Sequence, residues 1–361
     1  MKFFNARMNA SQHNTEPPPL ATTGPNPAPS SCPKGTAAAA RPIWRRLQAL
    51  PALAGIILVA ILLSPHASDG SNIFLETGNL TDILRQVSVI GIIAVAMTFV
   101  ILTAGIDLSV GSILALSTTV VAMALTRWSP PVGDAGHIAL AIGAALAAGA
   151  AVGALNGVVV SGANIQPFVV TLATMIGVRG LAKRLTDNAN IDIGFGRDVA
   201  AVFADFINQK AVIIGSLLVM AAVFWLILDR TVFGRYVRAV GDNERAARYT
   251  GLPIARVKIW VYTLSGLLSA LAGVIYAAEN HQGNPNAGIA YELDAIAAVV
   301  IGGTSLMGGK GSVSGTLVGT LILGILTNIL RLNNVDSNVE MMVKAVIILV
   351  AVAVMAGRKA E

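Results

Sequence analysis

The chain has 361 residues, of which 55% are hydrophobic and only 12% are charged. Because a soluble domain normally carries about 25% charged residues, this composition excludes a soluble enzyme and indicates a polytopic membrane protein. The net charge of +6 is interpreted as a topology signal and not as a nucleic-acid-binding surface. The single cysteine, Cys32, excludes an intrachain disulfide framework and a cysteine-based metal site, and no cofactor is expected in this chain.

The chain begins with a low-complexity stretch that contains PPP, GPNPAPS and AAAA. Residues 1–40 are therefore predicted to be a disordered cytoplasmic tail, and residues 41–361 to be one transmembrane domain. Arg41, Arg45 and Arg46 precede the first apolar run, which places the N-terminus in the cytoplasm.

Apolar runs in the rest of the chain predict an all-α helical bundle of about ten membrane spans with glycine-rich breaks. The apolar block 86–125 is split into two spans at the motif GIDLSVG, residues 105–111. The predicted spans are 47–63, the two halves of 86–125, 138–160, 166–182, 211–228, 259–278, 291–307, 313–330 and 340–355. The span 291–307 is short and interrupted by Gly302 and Gly303, and 186–209 is interpreted as a polar loop.

Charge supports this count, because alternating spans place most Lys and Arg residues inside and both termini in the cytoplasm. The predicted location is a membrane, crossed many times. No nucleotide site is expected, because the sequence 303–310 resembles a phosphate-binding loop but its Lys310 falls one place late and is followed by glycine. Any ATP hydrolysis is therefore assigned to another polypeptide.

The longest polar segment after the first span is the basic stretch 234–258, within a cytoplasmic loop at 229–258. It predicts a helix of about two turns that begins at Asp242 or Asn243, which can cap free amides. It ends at Gly251, which favours a left-handed C-terminal position, before Pro253. Because so short a helix is unstable in water by itself, we expect a partner protein to hold it.

A second group of candidates consists of polar side chains in or beside the spans. Asp107 either caps the following helix or lines a translocation pathway. Glu292 and Asp294 either interact favourably with the dipole of the helix that they begin or line the same pathway. The uncharged groups either bond neighbouring helices or bind sugar hydroxyls. The pathway candidates are Asp107, Ser109, Asn156, Gln166, Phe168, Thr171, Glu292, Asp294 and Asn328. No catalytic pair or metal-ligand spacing is found among them, so the chain is not predicted to be an enzyme.

Four stretches resemble the permease subunits of bacterial monosaccharide ABC importers, the ribose type above all. They are residues 100–116, 166–175, 234–275 and 291–326, and the resemblance covers roughly residues 45–355. It implies an inner-membrane permease domain that works as a dimer of two copies among the membrane lipids. It also implies a separate cytoplasmic ATPase and a periplasmic sugar-binding protein as partners, and no nucleic acid.

The resemblance gives the basic segment a role, because such permeases dock on the ATPase through a coupling helix with a Glu-Ala-Ala…Gly pattern. This chain has Arg245 inserted after the glutamate, a departure from that pattern. The predicted coupling residues are Asp242, Asn243, Glu244, Arg245, Ala246, Ala247, Arg248, Tyr249 and Gly251. The prediction is thus an importer of a monosaccharide, a pentose such as ribose; the alternative is an ion-coupled secondary transporter of a small polar solute.

Overall fold

The computed structural model describes residues 50–357 apart from 129, 131, 164 and 195–197. The predicted disordered tail, Cys32 and the charged residues after 357 lie outside the described residues. The described part is mostly helical, as predicted. Its helices are α1 Leu50–Leu63, α2 Thr77–Leu102, α3 Val110–Arg127, α4 Asp134–Gly162, α5 Pro167–Leu185, α6 Val199–Ile207, α7 Lys210–Arg230, α8 Val232–Asp242, α9 Glu244–Tyr249, α10 Ile254–Glu279, α11 Tyr291–Ile301, α12 Val313–Leu332 and α13 Ser337–Gly357.

Two short strands complete the described elements. The strand β1 Ile191–Asp192 pairs antiparallel with β2 Gln282–Gly283. A 3₁₀ turn, Ile73–Leu75, precedes α2, and its first amides are capped by the Asn72 side chain.

Each predicted span overlaps one helix, and six helices in the described ranges are long and apolar enough to cross a membrane. These are α2, α3, α4, α7, α10 and α12. α5 has 19 residues but carries Arg179, Lys183 and Arg184. α11 has 11 residues, roughly 16 Å at the helical rise, whereas the hydrocarbon core is about 30 Å thick. The helix ends at Ile301 and Gly303 takes a positive φ of 91°, so the span 291–307 is interrupted at the glycine pair, as predicted.

The helices α2, α3 and α10 form the centre of the described domain, and α4 and α7 lie at its periphery. In α2, 78% of the apolar window is buried, against 22% in α4, although their mean hydropathies are 2.1 and 2.2. Leu155 of α4 and Leu218 of α7 are both 59% exposed. Apolar side chains on this periphery are typical of a surface that faces lipid or a second membrane subunit.

A glycine seam joins α4 to α10. Gly149, Gly153 and Gly157 recur every four residues along α4 and face the backbone of α10. A Cβ at Gly153 would lie only 2.2 Å from the Tyr262 carbonyl oxygen. Such small-residue seams let membrane helices approach closely, which increases van der Waals contact between them.

Two segments predicted to be loops are partly helical. The stretch 186–209 contains α6, whose first turn is capped by the Asp198 carboxylate and whose Phe203 is buried. The stretch 234–258 contains most of α8, which buries Val237 and Val240 against the main core. Both helices are short and amphipathic, so they gain their stability from packing on the long helices and not from their own sequence.

Two non-helical breaks, in extended or turn conformation, interrupt the helices of the domain. Residues 103–109 connect α2 to α3, and residues 302–312 connect α11 to α12. A third non-helical segment, 284–290, follows β2 along α3. Gly283 faces Thr118 on α3, and Gly288 faces Gly111 in the first turn of α3. α11 therefore begins opposite the first turn of α3.

Candidate coupling and translocation sites

The short helix α9 has the predicted start and stop. The Asn243 side chain accepts a hydrogen bond from the Ala246 amide at 3.0 Å, so Asn243 is the cap and Asp242 is the last residue of α8. Gly251 has a φ of +78°. Its amide donates to the Arg248 carbonyl, and the Leu252 amide donates to the Ala247 carbonyl at 3.2 Å. These two bonds form a Schellman motif, which ends the helix where the sequence predicted.

The outer face of α9 is open to solvent. Tyr249 is 92% exposed, and Arg245, Ala246 and Arg248 are also exposed. On the inner face Ala247 is only 5% exposed. A large exposed aromatic side chain with two exposed arginines on the same short helix is typical of a protein-binding surface, because these residue types are enriched in interface hot spots.

Ion pairs hold α9 against the adjacent helices. Glu244 accepts from Lys258 of α10 at 2.8 Å and from Arg248, one turn later, at 3.4 Å. Arg238 of α8 binds Asp229 of α7 at 2.5 Å. The helix that carries the exposed Tyr249 is therefore bonded directly to α10, and the preceding helix α8 is bonded to α7.

Backbone contacts connect α8 to both breaks in the membrane helices. The Gly309 amide donates to the Leu102 carbonyl at the end of α2, at 3.0 Å. A Cβ at Gly241 of α8 would lie 1.7 Å from the same carbonyl oxygen. Sequence reasoning missed this contact; the paired glycines at 308 and 309 were its only signal, and both take positive φ angles.

The Asp107 carboxylate is completely buried and fully hydrogen-bonded. One oxygen accepts from the Ser109 amide at 3.0 Å and from the Ser109 hydroxyl at 2.6 Å. The other accepts from the Ser265 hydroxyl of α10 at 2.7 Å. Asp107 therefore closes a turn just before α3, and it also bonds a second helix. The predicted cap of a helix that begins at Leu108 is wrong, because α3 begins at Val110 after Ser109, whose side chain makes no capping bond.

The cluster extends from Ser109 to two further helices. Asn156 of α4 donates to the Ser109 hydroxyl at 2.9 Å and accepts from Thr174 of α5 at 2.6 Å. Thr171 donates to the Ile106 carbonyl at 3.1 Å. We call Asp107, Ser109, Asn156, Thr174 and Ser265 the Asp107 cluster. It brings together predicted residues that are far apart in sequence, and Asp107, Ser109, Asn156 and Thr171 have no exposed surface.

Glu292 lies next to the start of α3 but outside this hydrogen-bonded cluster. One of its carboxylate oxygens would be 2.5 Å from a Cβ at Gly111. That buried oxygen has no hydrogen-bond partner among the described residues. Arg179 of α5 attracts it electrostatically and itself donates to the carbonyls of Pro285 and Ala287.

The other predicted pathway residues lie elsewhere. Gln166 and Phe168 are exposed at the start of α5. The amides of Asn328 and Asn79 bond each other, at 2.8 and 3.2 Å, and join α12 to α2. Asp294 lies 3.6 Å from Lys344 of α13. The role of all nine candidates in translocation stays a prediction. Within the described ranges, no three His, Cys, Asp or Glu side chains are grouped closely enough to hold a metal ion.

Comparison with known proteins places the chain in a family. Residues 79–352 match the family described as branched-chain amino acid transport system / permease component. The chain belongs to this permease family. No solved structure matches it significantly.

Curated relatives of the permease are similar to it over most of its length. It is 46% identical over 308 residues to the ribose import permease protein of Escherichia coli strain K12, with 84% of this chain and 91% of the relative covered. It is 42% identical over 298 residues to the ribose import permease protein of Bacillus subtilis strain 168, with 82% and 88% covered. It is 37% identical over 320 residues to the fructose import permease protein of Rhizobium meliloti, with 85% and 86% covered. The resemblance inferred from the motifs is thereby confirmed.

Proposed function

We propose that the chain is the membrane-spanning permease of an ABC importer that carries ribose across the bacterial inner membrane. The observation that carries this proposal is the order of the similarities. Identity is 46% and 42% with two ribose permeases and 37% with a fructose permease, over similar shares of the chain. A sugar is preferred to a branched-chain amino acid because all three of these relatives are named for sugars.

We further propose ten crossings with both termini in the cytoplasm. The ten predicted spans all overlap helices. α11 by itself is too short to cross, but the segment 282–290 lies along α3 and supplies the remaining depth. Irregular backbone is tolerated inside a membrane only where protein or a water-filled cavity surrounds it, and this segment packs on α3.

We propose that α9 binds the partner ATPase. The support is the exposed Tyr249, preceded by the exposed Arg245 and Arg248, on a short helix that has its own cap and stop signals. The remaining partners are a periplasmic sugar-binding protein and a second copy of the permease. The apolar outer faces of α4 and α7 are suited to contact lipid or that second copy.

Alternating access is the mechanism that follows. ATP binding draws the two ATPase subunits together, and each moves the α9 helix docked on it. Because Gly241 contacts the end of α2 and Gly309 bonds the same carbonyl, movement of α8 and α9 would act directly on both breaks. The long helices on either side of those breaks would then rock and open the pathway to the other side.

The test uses proteoliposomes that contain the permease, its ATPase and its binding protein. The variant combines Tyr249→Ala with Arg248→Glu. We expect it to lose sugar-stimulated ATP hydrolysis and ribose uptake together, because an interface hot spot contributes about 2 kcal/mol or more to binding.

Arg184→Glu is the matched control. It reverses a charge at a residue of α5 that is 84% exposed and that the proposed topology places outside. We expect this control to keep uptake and hydrolysis. Uptake by the wild-type permease without any ATPase would overturn the importer assignment in favour of an ion-coupled transporter.

A further inference from the structure

A polar cleft lies between α2, α11, α12 and α13, away from the Asp107 cluster. Its cavity volume is about 120 Å³, and the cleft is partly open to solvent. Along α12 its lining runs from Thr320 to Arg331, a distance of about 16 Å at the helical rise. Arg331 is in the last turn of α12, on the side that the proposed topology places outside.

Ion pairs form one wall of the cleft. Lys344 bonds Glu340 at 2.9 Å and lies 3.6 Å from Asp294, and Arg331 bonds Glu340 at 3.3 Å. Asp294, Arg331 and Lys344 line the cleft, and Glu340, which is 5% exposed and does not line it, brings the four side chains to no net charge. Ionisable groups at membrane depth are costly and face a cavity or the interior of a bundle, where they most often serve a ligand.

Polar groups with free hydrogen-bonding capacity also line the cleft. Gln86 of α2 and Tyr291 of α11 are both half-buried and line the cleft. Within the described part of the chain, neither the Gln86 amide nor the Tyr291 hydroxyl makes a hydrogen bond. The Tyr291 ring is fixed edge-on to Tyr276, with 6.3 Å between the ring centroids.

We propose that this cleft is the outer subsite at which the permease receives the monosaccharide; the inference rests on the proposed function. A pentose carries hydroxyls that donate and accept on every side, which matches the Gln86 amide, the Tyr291 hydroxyl and the charged groups of Asp294 and Lys344. Its C–H faces pack on the Tyr291 ring and on Val87. A neutral ligand is favoured because each charge in the wall already has a partner.

The cleft suits weak, transient binding. Binding pockets for small molecules usually enclose 300–1,000 Å³ and close around most of the ligand, whereas this cleft is smaller, at about 120 Å³, and partly open. Weak binding is what a permease needs at this point, since a separate binding protein supplies the affinity and the sugar must move on.

The experiment measures whether the sugar protects the cleft from a thiol reagent. In a Cys32→Ser background, Gln86→Cys gives the permease a single thiol, and this thiol lies in the cleft. Leu84→Cys is the matched control, because Leu84 lies on the same helix, is 38% exposed and does not line the cleft. The full-length permease is assembled with its ATPase in proteoliposomes. It is then labelled with a water-soluble methanethiosulfonate reagent in the presence of either D-ribose or L-leucine.

We expect the reagent to label the thiol at position 86, and D-ribose to slow that labelling about tenfold at saturation, where roughly nine sites in ten are occupied. L-leucine should have no effect, and neither solute should change labelling at position 84. Absence of labelling at position 86, equal slowing at both positions, or protection by L-leucine instead of D-ribose would each overturn the subsite.

A parallel uptake assay separates the two proposals. If the Cys32→Ser permease imports D-ribose with its ATPase and binding protein but D-ribose does not protect position 86, the subsite is wrong and the importer stands. If D-ribose is not imported at all, the assignment of the sugar fails first.

Discussion

The Asp107 cluster and the outer cleft both place an aspartate inside the membrane domain, yet they treat polar groups in opposite ways. In the Asp107 cluster, both carboxylate oxygens accept from nearby donors, and Asp107, Ser109 and Asn156 have no exposed surface. In the cleft, Asp294 and Lys344 are 3.6 Å apart and partly exposed, and Gln86 next to them has no partner among the described residues.

The difference shows that the burial of a polar side chain decides whether it stabilises the fold or stays available to a ligand. A buried polar group away from water must be satisfied by the protein itself, and the Asp107 cluster meets that requirement while joining α4, α5 and α10 to the start of α3. A half-buried group with free bonding capacity is ready for water or for a ligand. The first arrangement stabilises the fold, and the second favours a passing solute.

The largest expected effect on stability is that of Asp107→Ala. Removing the carboxylate leaves the buried hydroxyls of Ser109 and Ser265 without their acceptor, at about 1–3 kcal/mol for each unsatisfied group. We expect the free energy of unfolding of the detergent-solubilised permease to fall by about 3 kcal/mol in denaturant titrations. Asp107→Asn keeps one acceptor and should lose less. An unchanged unfolding curve for Asp107→Ala would show that the cluster does not stabilise the fold.

A smaller effect is expected at the edge of the same cluster. Thr174→Val removes one hydrogen bond, to Asn156 at 2.6 Å, and keeps the shape of the side chain. Interhelical hydrogen bonds in membrane proteins contribute about 0.6 kcal/mol on average, and we expect a loss of that size in the same titration. Thr174→Ser, which keeps the hydroxyl, should unfold like the wild type. A loss as large as that of Asp107→Ala would mean that the cluster acts as a single unit.

The smallest effect on stability is expected in the cleft. Gln86→Leu should leave the free energy of unfolding within about 0.5 kcal/mol of the wild type, because Gln86 makes no hydrogen bond that could be lost. Transport should respond instead. With saturating binding protein, fewer ribose molecules should be imported per ATP hydrolysed, because the sugar loses a contact as it enters.

Two other results would contradict this comparison. One is an unchanged ratio of ribose to ATP in Gln86→Leu, which would remove the cleft from the pathway. The other is a clear loss of stability, which would make Gln86 a structural residue. Gln86→Asn, which keeps the amide on a shorter side chain, is the conservative variant and should retain part of the transport.

Local rules predicted much of the short helix α9. Asn243 and Gly251 follow directly from capping preferences and from the left-handed conformation that glycine tolerates, both of which depend on a few neighbouring residues. The bond from the Ser109 amide to Asp107 is local in the same way. The amphipathic helices α6 and α8 were missed because their stability comes from apolar contacts with α10 and α7, which the local sequence does not reveal.

The cleft could not be predicted from the sequence, because its lining residues are far apart along the chain. Asp294 was a candidate, but its partner Lys344 comes 50 positions later, and Gln86 comes more than 200 positions earlier. Only the packing of α2, α11, α12 and α13 brings them together. Asn328 shows the reverse case, because a polar residue expected in the pathway is paired with Asn79 between two helices.

The sequence alone determined that this is a helical membrane protein, where its long apolar segments lie, and which family of permeases it resembles. These properties depend on composition, on runs of apolar residues and on contiguous motifs. The tertiary structure decided which helices form the centre: α2 and α4 have almost the same mean hydropathy, 2.1 and 2.2, yet 78% of one window is buried and 22% of the other. Hydropathy cannot separate them, because lipid tails and the interior of a helix bundle are equally apolar, and only close packing distinguishes the two environments.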